Sequence, residues 1–422
     1  MYQIENGGEV LKWRKRLWPS RTKHLHVSRN VLLLGLTSLF TDISSEMVST
    51  ILPIYLVFTL RLAPLQFGLV DGLYQGAAAL VRVASGLIAD SSRRHKEVAV
   101  AGYGLSAICK LGFLLVGGAW AWLAGIVLLD RIGKGIRTAP RDALISLSTP
   151  QAELATAFGV HRALDTAGAM LGPLVAFGLL TLLPGAFDTV FIVSFSTALI
   201  GVGIVTLFVA NRTPTPAPGE AERNISLTAA LKLLQAPRFR ALVLAGTAMS
   251  LATLSDGFLY LGLQRRLSFS AGYLPLLYVV TALIYMLLAV PVGRFADRVG
   301  RMRVFIGGYV LLLGVYTSLL LPTLGLFEIF GYLLLFGAYY AATDGVLMAL
   351  ASDVLPQHLR TSGLALLTTA TGLARLLASV LFGLLWTWWS VEVAVWSFLG
   401  ALVVALILTG NVLQRMAREA NQ

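Results

Sequence analysis

Apolar residues recur along this chain in stretches of about 20, each closed by a short charged or Pro/Gly-rich break. At 1.5 Å per helical residue, such a stretch matches the ~30 Å hydrocarbon core of a bilayer. The pattern predicts twelve helices, at 30–58, 65–89, 97–118, 119–146, 155–183, 187–210, 238–263, 271–295, 302–321, 325–352, 359–386 and 391–414. A membrane barrel would instead show short segments of alternating polarity, which this chain lacks. The predicted fold class is an all-α polytopic membrane protein.

Composition adds that little soluble mass exists. Only 13% of residues are charged and 57% are hydrophobic, whereas about a quarter of an ordinary soluble domain is charged. The net charge of +12 gives orientation, not nucleic-acid binding, because no extended soluble basic domain is present to carry it. Lys12, Arg14, Lys15, Arg16, Arg21, Lys23 and Arg29 precede the first span. Arg93, Arg94 and Lys96 follow the second, and Arg294, Arg298, Arg301 and Arg303 surround the turn after the eighth. The alternate loops carry only Arg61, Arg265 and Arg266. This bias predicts both termini in the cytoplasm of a cell-membrane (inner-membrane) protein. The basic stretch EVLKWRKRLWPSRTKHLHVSR runs into VLLLGLTSLF with no small-residue cleavage site, so the first span is predicted to be uncleaved.

One cysteine, Cys109, excludes an intrachain disulfide and a cysteine-cluster metal site. Met47, His161 and Met170 are too scattered to argue for a metal, and no cofactor is expected.

The chain divides in two. The stretch NRTPTPAPGEAERNISLTAALKLLQAPRFR, rich in Pro and small residues at its start, separates six predicted spans from six. The expected layout is a basic N-terminus at 1–29, a six-helix bundle at 30–210, a cytoplasmic linker at 211–237, a second bundle at 238–414 and a tail at 415–422. The sequons at Asn211 and Asn224 fall in that linker and carry no weight on a cytoplasmic side. The halves also repeat: Gly86 matches Gly293, Asp90 matches Asp297, Pro150-Gln151 matches Pro356-Gln357, and FGLL at Phe177 matches FGLL at Phe382. All offsets are about 205–207 residues. A duplicated half joined by a cytoplasmic linker is the layout of an alternating-access transporter, with its solute site near the midplane between the halves.

Three motifs make the sequence resemble the major facilitator superfamily over nearly its whole length. Gly293 to Arg303 resembles that family's loop G-x-L-A-D-R-x-G-R-R/K, and Gly86 onward is a first copy with Arg93 at the turn-glycine position. Arg131 and Gly135 match the fourth-helix Arg-x-x-x-Gly. Gly159, Gly168, Gly172 and Pro173 follow the fifth-helix pattern of the drug:proton antiporter branch, with Ala176 and Phe177 in place of its last two glycines. The resemblance implies two pseudo-symmetric six-helix bundles and a monomer.

These motifs have a physical reading. Gly86 and Gly293 allow close helix approach. Asp90 and Asp297, with Arg94, Arg298, Gly300 and Arg301, are expected to latch the cytoplasmic side, each acid meeting a helix N-terminus of the other half. By pseudo-symmetry Asp90 would face the start of the eleventh helix and Asp297 the start of the fifth. The Gly159, Gly168 and Gly172 edge predicts a tight packing face.

The segment LLDRIGKGIRTAPRDAL is the hardest to place. As a loop it would leave a fourth span too short to cross. As a helix it puts Lys134, Arg137 and Arg141 within about 40° of Asp130, at ~100° per residue. The four charges then form a stripe, predicted to face the cavity, with Arg131 on a neighbouring face. Charges in a bilayer pair or face water. The sequence offers Asp42 and Glu46 on the first helix, Asp71 and Arg82 on the second, Lys110 on the third, and His161, Arg162 and Asp165 on the fifth. The second half offers mainly Asp256, Asp344 and Arg375, so proton coupling is expected in the first.

The expected function is secondary active transport by alternating access: proton-coupled antiport, or efflux, of a small organic or drug-like solute. The alternatives are a transporter of a metal chelate or small anion and, from another class, a membrane enzyme or non-transporting receptor. Asp42 or Glu46 is expected to carry the proton beside Arg131, with Asp71, His161 and Asp165 contributing; a permanent salt-bridge network is the competing reading. The predicted cavity residues are Asp130, Lys134, Arg137, Tyr55, Tyr74, Asp256, Tyr260, Asp344 and Arg375. The expected partners are the lipid bilayer, a small-molecule substrate and protons.

Overall fold

The computed structural model describes residues 28–92, 94–115, 119–150, 153–211, 233–321, 326–355 and 360–420; side chains at 79–80, 82–92, 155, 326–327, 360–362 and 412–420 fall outside that description. Residues 1–27 of the predicted basic N-terminus, residues 212–232 of the predicted linker, Arg93, Asn224, Gln151 and Pro356-Gln357 lie outside it too. So do the side chains of Arg82 and of Asp90 in the first latch copy.

Twelve membrane helices are present. They are α1 (Arg29–Ile54, extended by a π-helical turn at Tyr55–Thr59), α2 (Pro64–Ser92), α3 (His95–Gly112), α4 (Trp120–Leu147), α5 (Leu154–Leu182) and α6 (Phe187–Leu207). Then follow α7 in two segments (Pro237–Leu251 and Asp256–Leu267), α8 (Leu274–Val299), α9 (Arg301–Leu320), α10 (Leu326–Val354), α11 (Arg360–Trp388) and α12 (Val391–Ala420). Among the described residues no strand occurs. Ten spans are long and apolar enough to cross a membrane. That number is of the described residues, which cover the side chains of α2 only to Ala78 and at Val81; α4, described throughout, falls outside it because of the charged run of LLDRIGKGIRTAPRDAL, and α2 brings Gln66, Asp71 and Gln75 into the interior. That run is helical throughout, with Pro140 inside it.

Local chemistry sets the helix ends. Ser28 Oγ accepts from Val31 N at 3.3 Å and starts α1. Pro64 and Pro237 open α2 and α7, where no N–H partner is needed. Gly300, at φ 110°, turns the chain between α8 and α9, a backbone that a side chain would strain. Asn30 ties three helices at one end of the bundle. Its amide donates to Ser148 Oγ (2.8 Å) and Ala210 O (3.0 Å) and accepts from Ala210 N (2.8 Å). That end, where α1 starts and α4 and α6 finish, is the near end below.

α1 packs on α5 and α6, α2 on α4, and α3 on α4 and α6. In the later half, α9 packs on α10 and α12, α8 on α10, and α7 on α11 and α12. Two long contacts cross between these groups, α2 on α11 and α5 on α8. Small residues allow the closest crossings. A Cβ at Gly172 would lie 2.7 Å from Ile43 O, and one at Gly168 would strike Leu39 O. These two glycines of the predicted α5 edge therefore seat α5 on α1, while Gly159 faces open space.

The expected seventh span is broken where the sequence suggested one helix. Residues Ala252–Ser255 interrupt it, and Ser255 Oγ caps the second segment through Phe258 N. Irregular backbone at membrane depth needs partners from the protein. Tyr316 of α9 supplies them, accepting from Leu254 N at 2.7 Å and donating to Ala252 O at 3.0 Å. Tyr316 is fully buried. Tyr316→Phe should therefore lower stability by about 1–3 kcal/mol, read as an earlier thermal transition of the purified protein; an unshifted transition would show that the break does not depend on this hydroxyl.

Candidate functional site

A cavity of about 440 Å³ lies between the two groups of six helices. Tyr74, Gln75 and Ala78 of α2 and Arg131 and Lys134 of α4 form one wall. Phe305 and Tyr309 of α9, Asp344 and Met348 of α10, and Thr368 and Arg375 of α11 form the other. A recess of about 20 Å³ adjoins it at the break in α7, bounded by Gln75, Ser255, Asp256, Tyr340 and Arg375.

The α4 charges are sorted by helical face, and the sorting differs from the predicted stripe. Asp130 and Arg137 do not line the cavity. Both are 3% exposed and belong to the α3–α4 seam. The seam is tight because glycines meet in it: a Cβ at Gly102 would lie 2.7 Å from Gly133 O and from Arg137 N. Asp130 Oδ1 accepts from buried Lys110 of α3 at 2.8 Å, and its Oδ2 accepts from Arg131 Nε at 3.0 Å and pairs with the same guanidinium. Arg131 stands 3.9 Å over the Tyr74 ring. Thus Arg131 and Lys134 present the positive charge of α4 to the cavity, and Asp130 anchors Arg131 from behind. The carboxylate that pairs with Arg131 is thus Asp130, and neither Asp42 nor Glu46, the two acids expected beside it, forms an ion pair with it among the described residues. Arg137 instead meets Asp42 at 3.9 Å and stacks over Tyr103 at 4.7 Å.

The acids of α1 and α5 form a second polar centre, between α1, α4 and α5. Asp165 Oδ1 accepts from Ser38 Oγ at 2.7 Å and lies 3.9 Å from Arg141. Asp42 lies one turn after Ser38 on α1, so this bond sets its carboxyl beside Asp165. Buried His161 sits one turn before Asp165. Glu46 accepts from Ser49 Oγ at 2.6 Å and acts on this centre through Lys134, on the Arg131 side of α4.

Other predicted residues are spread over the fold. Asp344, Arg375 and Tyr74 line the cavity and Asp256 the recess, where it accepts from Tyr340. Tyr55 lies away from both, packed on Phe187 and Phe191. Tyr260 is also away from the wall; it is buried on Tyr278 and Phe336 and donates to Thr281 Oγ1 at 2.7 Å. Asp71 sits where α2 meets α11, accepting from Ser379 Oγ.

At the far end the cavity is shut. Gly68, Gly72 and Gly76 of α2 press on the α11 backbone at Ser379, Leu376 and Gly372. Leu65 N donates to Thr387 Oγ1 at 2.9 Å, and Phe258 packs between Phe67 and Phe382 with ring centroids 4.7 Å apart on each side. Of the second latch copy, Asp297 pairs with Arg301 at 2.9 Å, and Arg301 with Asp353 of α10 at 2.6 Å. Its bridge runs within α8–α10, not to the start of α5. Arg94 and Arg298 are exposed, and Gly293 faces open space.

Gln75, Tyr309, Ser38 and the break in α7 escaped sequence reasoning. A cap signal for the break existed: Ser255-Asp256-Gly257, inside an apolar run, is a helix start.

Comparison with known proteins agrees with this architecture. The sequence profile described as Major Facilitator Superfamily matches residues 34–284 and 252–420. An uncharacterized MFS-type transporter of Methanocaldococcus jannaschii is 32% identical over 371 residues, covering 85% of this chain and 89% of that protein. An uncharacterized protein of Mycobacterium tuberculosis is 33% identical over 159 residues, 38% of each chain. Among solved structures, the nucleoside transporter NupG superposes with TM-score 0.71 at 17% identity, over 92% of this chain and 99% of that one. A bacterial homolog of the human lysosomal transporter Spinster gives TM-score 0.66 at 16% identity, over 93% and 96%. The chain thus belongs to the Major Facilitator Superfamily and is a multi-pass membrane transporter, not an enzyme.

Proposed function

We propose that this protein is a proton-linked antiporter of a small organic solute that carries an anionic group. One observation carries the reading: Lys134 of the first half and Arg375 of the second face one cavity, and among the described residues neither makes an ion pair. Arg131 adds a third cation, and among the described lining residues Asp344, on the wall opposite Arg131, is the one acid. Charges at membrane depth persist where a partner or a watery cavity meets them. A solute anion bridging Lys134 and Arg375 would draw the two halves together over itself, which is what alternation of access requires. Tyr74, Phe305 and Tyr309 supply surface for the solute's apolar body. With the termini in the cytoplasm of a cell-membrane protein, the shut far end is external and the structure is inward-facing. In that reading Asp297 belongs to a latch that engages α5 when the inner side closes.

The test is a solute screen on purified protein in liposomes, with an imposed pH gradient and a lumenal pH dye. The panel holds aliphatic and aromatic carboxylates, phosphate monoesters and lipophilic cations. An anionic member is expected to dissipate the gradient. Dissipation by lipophilic cations alone would overturn the anion reading and favour drug efflux; no response to any member would overturn proton-linked exchange of these classes. For the responding anion, Lys134→Gln and Arg375→Gln should each raise the half-saturating concentration about tenfold, or ~1.4 kcal/mol. Unchanged values in both variants would place the anion elsewhere.

A further inference from the structure

We infer that Asp42 and Asp165 form a single proton-carrying carboxyl pair inside the first bundle, apart from the solute cavity. The inference rests on the proton-linked reading above and names the site that reading leaves open.

The geometry begins with the α1–α5 crossing. Gly168 and Gly172 bring the α5 backbone against Leu39 and Ile43. Ser38, one helical turn before Asp42 on α1, donates to Asp165 Oδ1 at 2.7 Å, which sets the Asp42 and Asp165 carboxyls side by side at this crossing. Two carboxylates so placed repel unless a proton lies between their oxygens. Neither carboxyl lines the solute cavity. Two cations stand just beyond hydrogen-bond distance, Arg137 3.9 Å from Asp42 and Arg141 3.9 Å from Asp165, while the exposed Arg162 reaches the other Asp165 oxygen at 3.5 Å. Ser38 Oγ completes the site on Asp165 Oδ1.

Every packed element contributes charge or a titratable group. α1 supplies Glu46, α3 supplies Tyr103, α4 supplies Lys134, Arg137, Arg141 and Asp142, and α5 supplies His161 and Arg162. Lys134 also reaches the solute cavity, so it is the one side chain common to both sites.

A second observation marks the site as built for proton exchange. Arg137 Nη1 and His161 Nε2 are buried with no hydrogen-bond partner among the described residues, in side chains 3% and 4% exposed. Buried donors and acceptors of this kind are satisfied by water. Water at these two atoms would give the pair a proton route along α5, past His161, separate from the solute cavity.

The cycle balances in charge. Loaded, one proton is shared between an Asp42 oxygen and an Asp165 oxygen. On release it passes to water, both carboxylates are left ionised, and Arg137 and Arg141 close the remaining gap to them. That contraction moves α4 relative to α1 and α5, and Lys134 on α4 moves with it. Proton loading is thereby connected to a cation of the solute cavity.

Infrared difference spectroscopy of the purified protein, stepped from low to high pH without solute, reads the pair directly. A protonated-carboxyl band is expected that shifts when the wild-type chain is labelled with carbonyl-13C aspartate and does not shift with 13C glutamate. Asp42→Asn and Asp165→Asn should each remove the same whole component, and Glu46→Gln should leave it. A band that follows the glutamate label overturns the proposal, as does a component surviving in either Asp variant. Two half-sized losses would show independent groups and also overturn it. The wild-type labelling decides the residue type even where a variant fails to fold. Because no solute is present, failure here leaves the anion reading standing, and failure of the solute screen leaves this result standing.

Discussion

Gly72→Leu is expected to abolish transport while leaving the fold intact. A Cβ at this position would lie 2.8 Å from Leu376 O and 3.5 Å from the Leu376 Cα, on backbone that cannot rotate away. Its neighbours repeat the constraint. A Cβ at Gly76 would meet Gly372 O at 2.8 Å, and one at Gly383 would meet the Leu65 Cα at 3.1 Å. The seam between α2 and α11 is therefore made for glycine on both sides, and only when it closes is the far end shut. Overpacking of this kind costs about 3 kcal/mol, roughly a hundredfold against the closed state. The loss falls on one conformation, because each half retains its internal packing. A disulfide between Leu65→Cys and Thr387→Cys, where Leu65 N now contacts Thr387 Oγ1, should form readily in the parent and be lost with Gly72→Leu. Gly104→Leu is the control, since nothing lies within 4 Å of its added Cβ. Full cross-linking and full transport in Gly72→Leu would show that closure does not use this seam.

Asp130→Ala is expected to damage folding more than any other single change in the charged interior. One carboxylate holds two cations, Lys110 and Arg131, and the side chains of all three are 2–4% exposed. Removing it leaves both uncompensated away from water, at a cost of about 3–5 kcal/mol. The readouts are the monodisperse fraction after purification and the thermal transition. Lys110→Met should cost less, and combined with Asp130→Ala it should recover a large part of the loss, because the stranded ammonium is gone. Arg131 keeps the Tyr74 ring and the cavity beside it. Strictly additive losses in the double variant would mean that the two groups do not act as a pair.

The charged run of α4 shows where sequence reasoning stopped. Span length alone makes it helical, and helical phase alone puts Asp130, Lys134, Arg137 and Arg141 on one broad face. Phase does not say which neighbour that face meets. The α3–α4 glycine contacts decide it: Gly102 against Gly133 draws α3 over Asp130 and Arg137. The cavity then receives Arg131 and Lys134 from the flank of the stripe. Asp42 and Glu46 illustrate the same limit. They share a helical face four residues apart, yet one reaches Arg137 and Asp165 while the other is held by Ser49. Tyr55 and Tyr260 are aromatics in spans, but aromatic side chains pack wherever apolar neighbours gather, as these two do.

What the sequence determined by itself is the class of molecule: twelve membrane helices, two repeated halves and ionisable groups gathered in the first. Those properties depend on hydropathy, spacing and composition, which are local and add along the chain. Tertiary structure alone decided which charges face the cavity, which acids lie side by side, and where α7 breaks. Each of these depends on pairs far apart in sequence: Lys110 with Asp130, Asp42 with Asp165, Tyr316 with Leu254. In a bilayer a buried polar group takes whatever partner the packing brings to it, and packing is a property of helix pairs, not of any one helix.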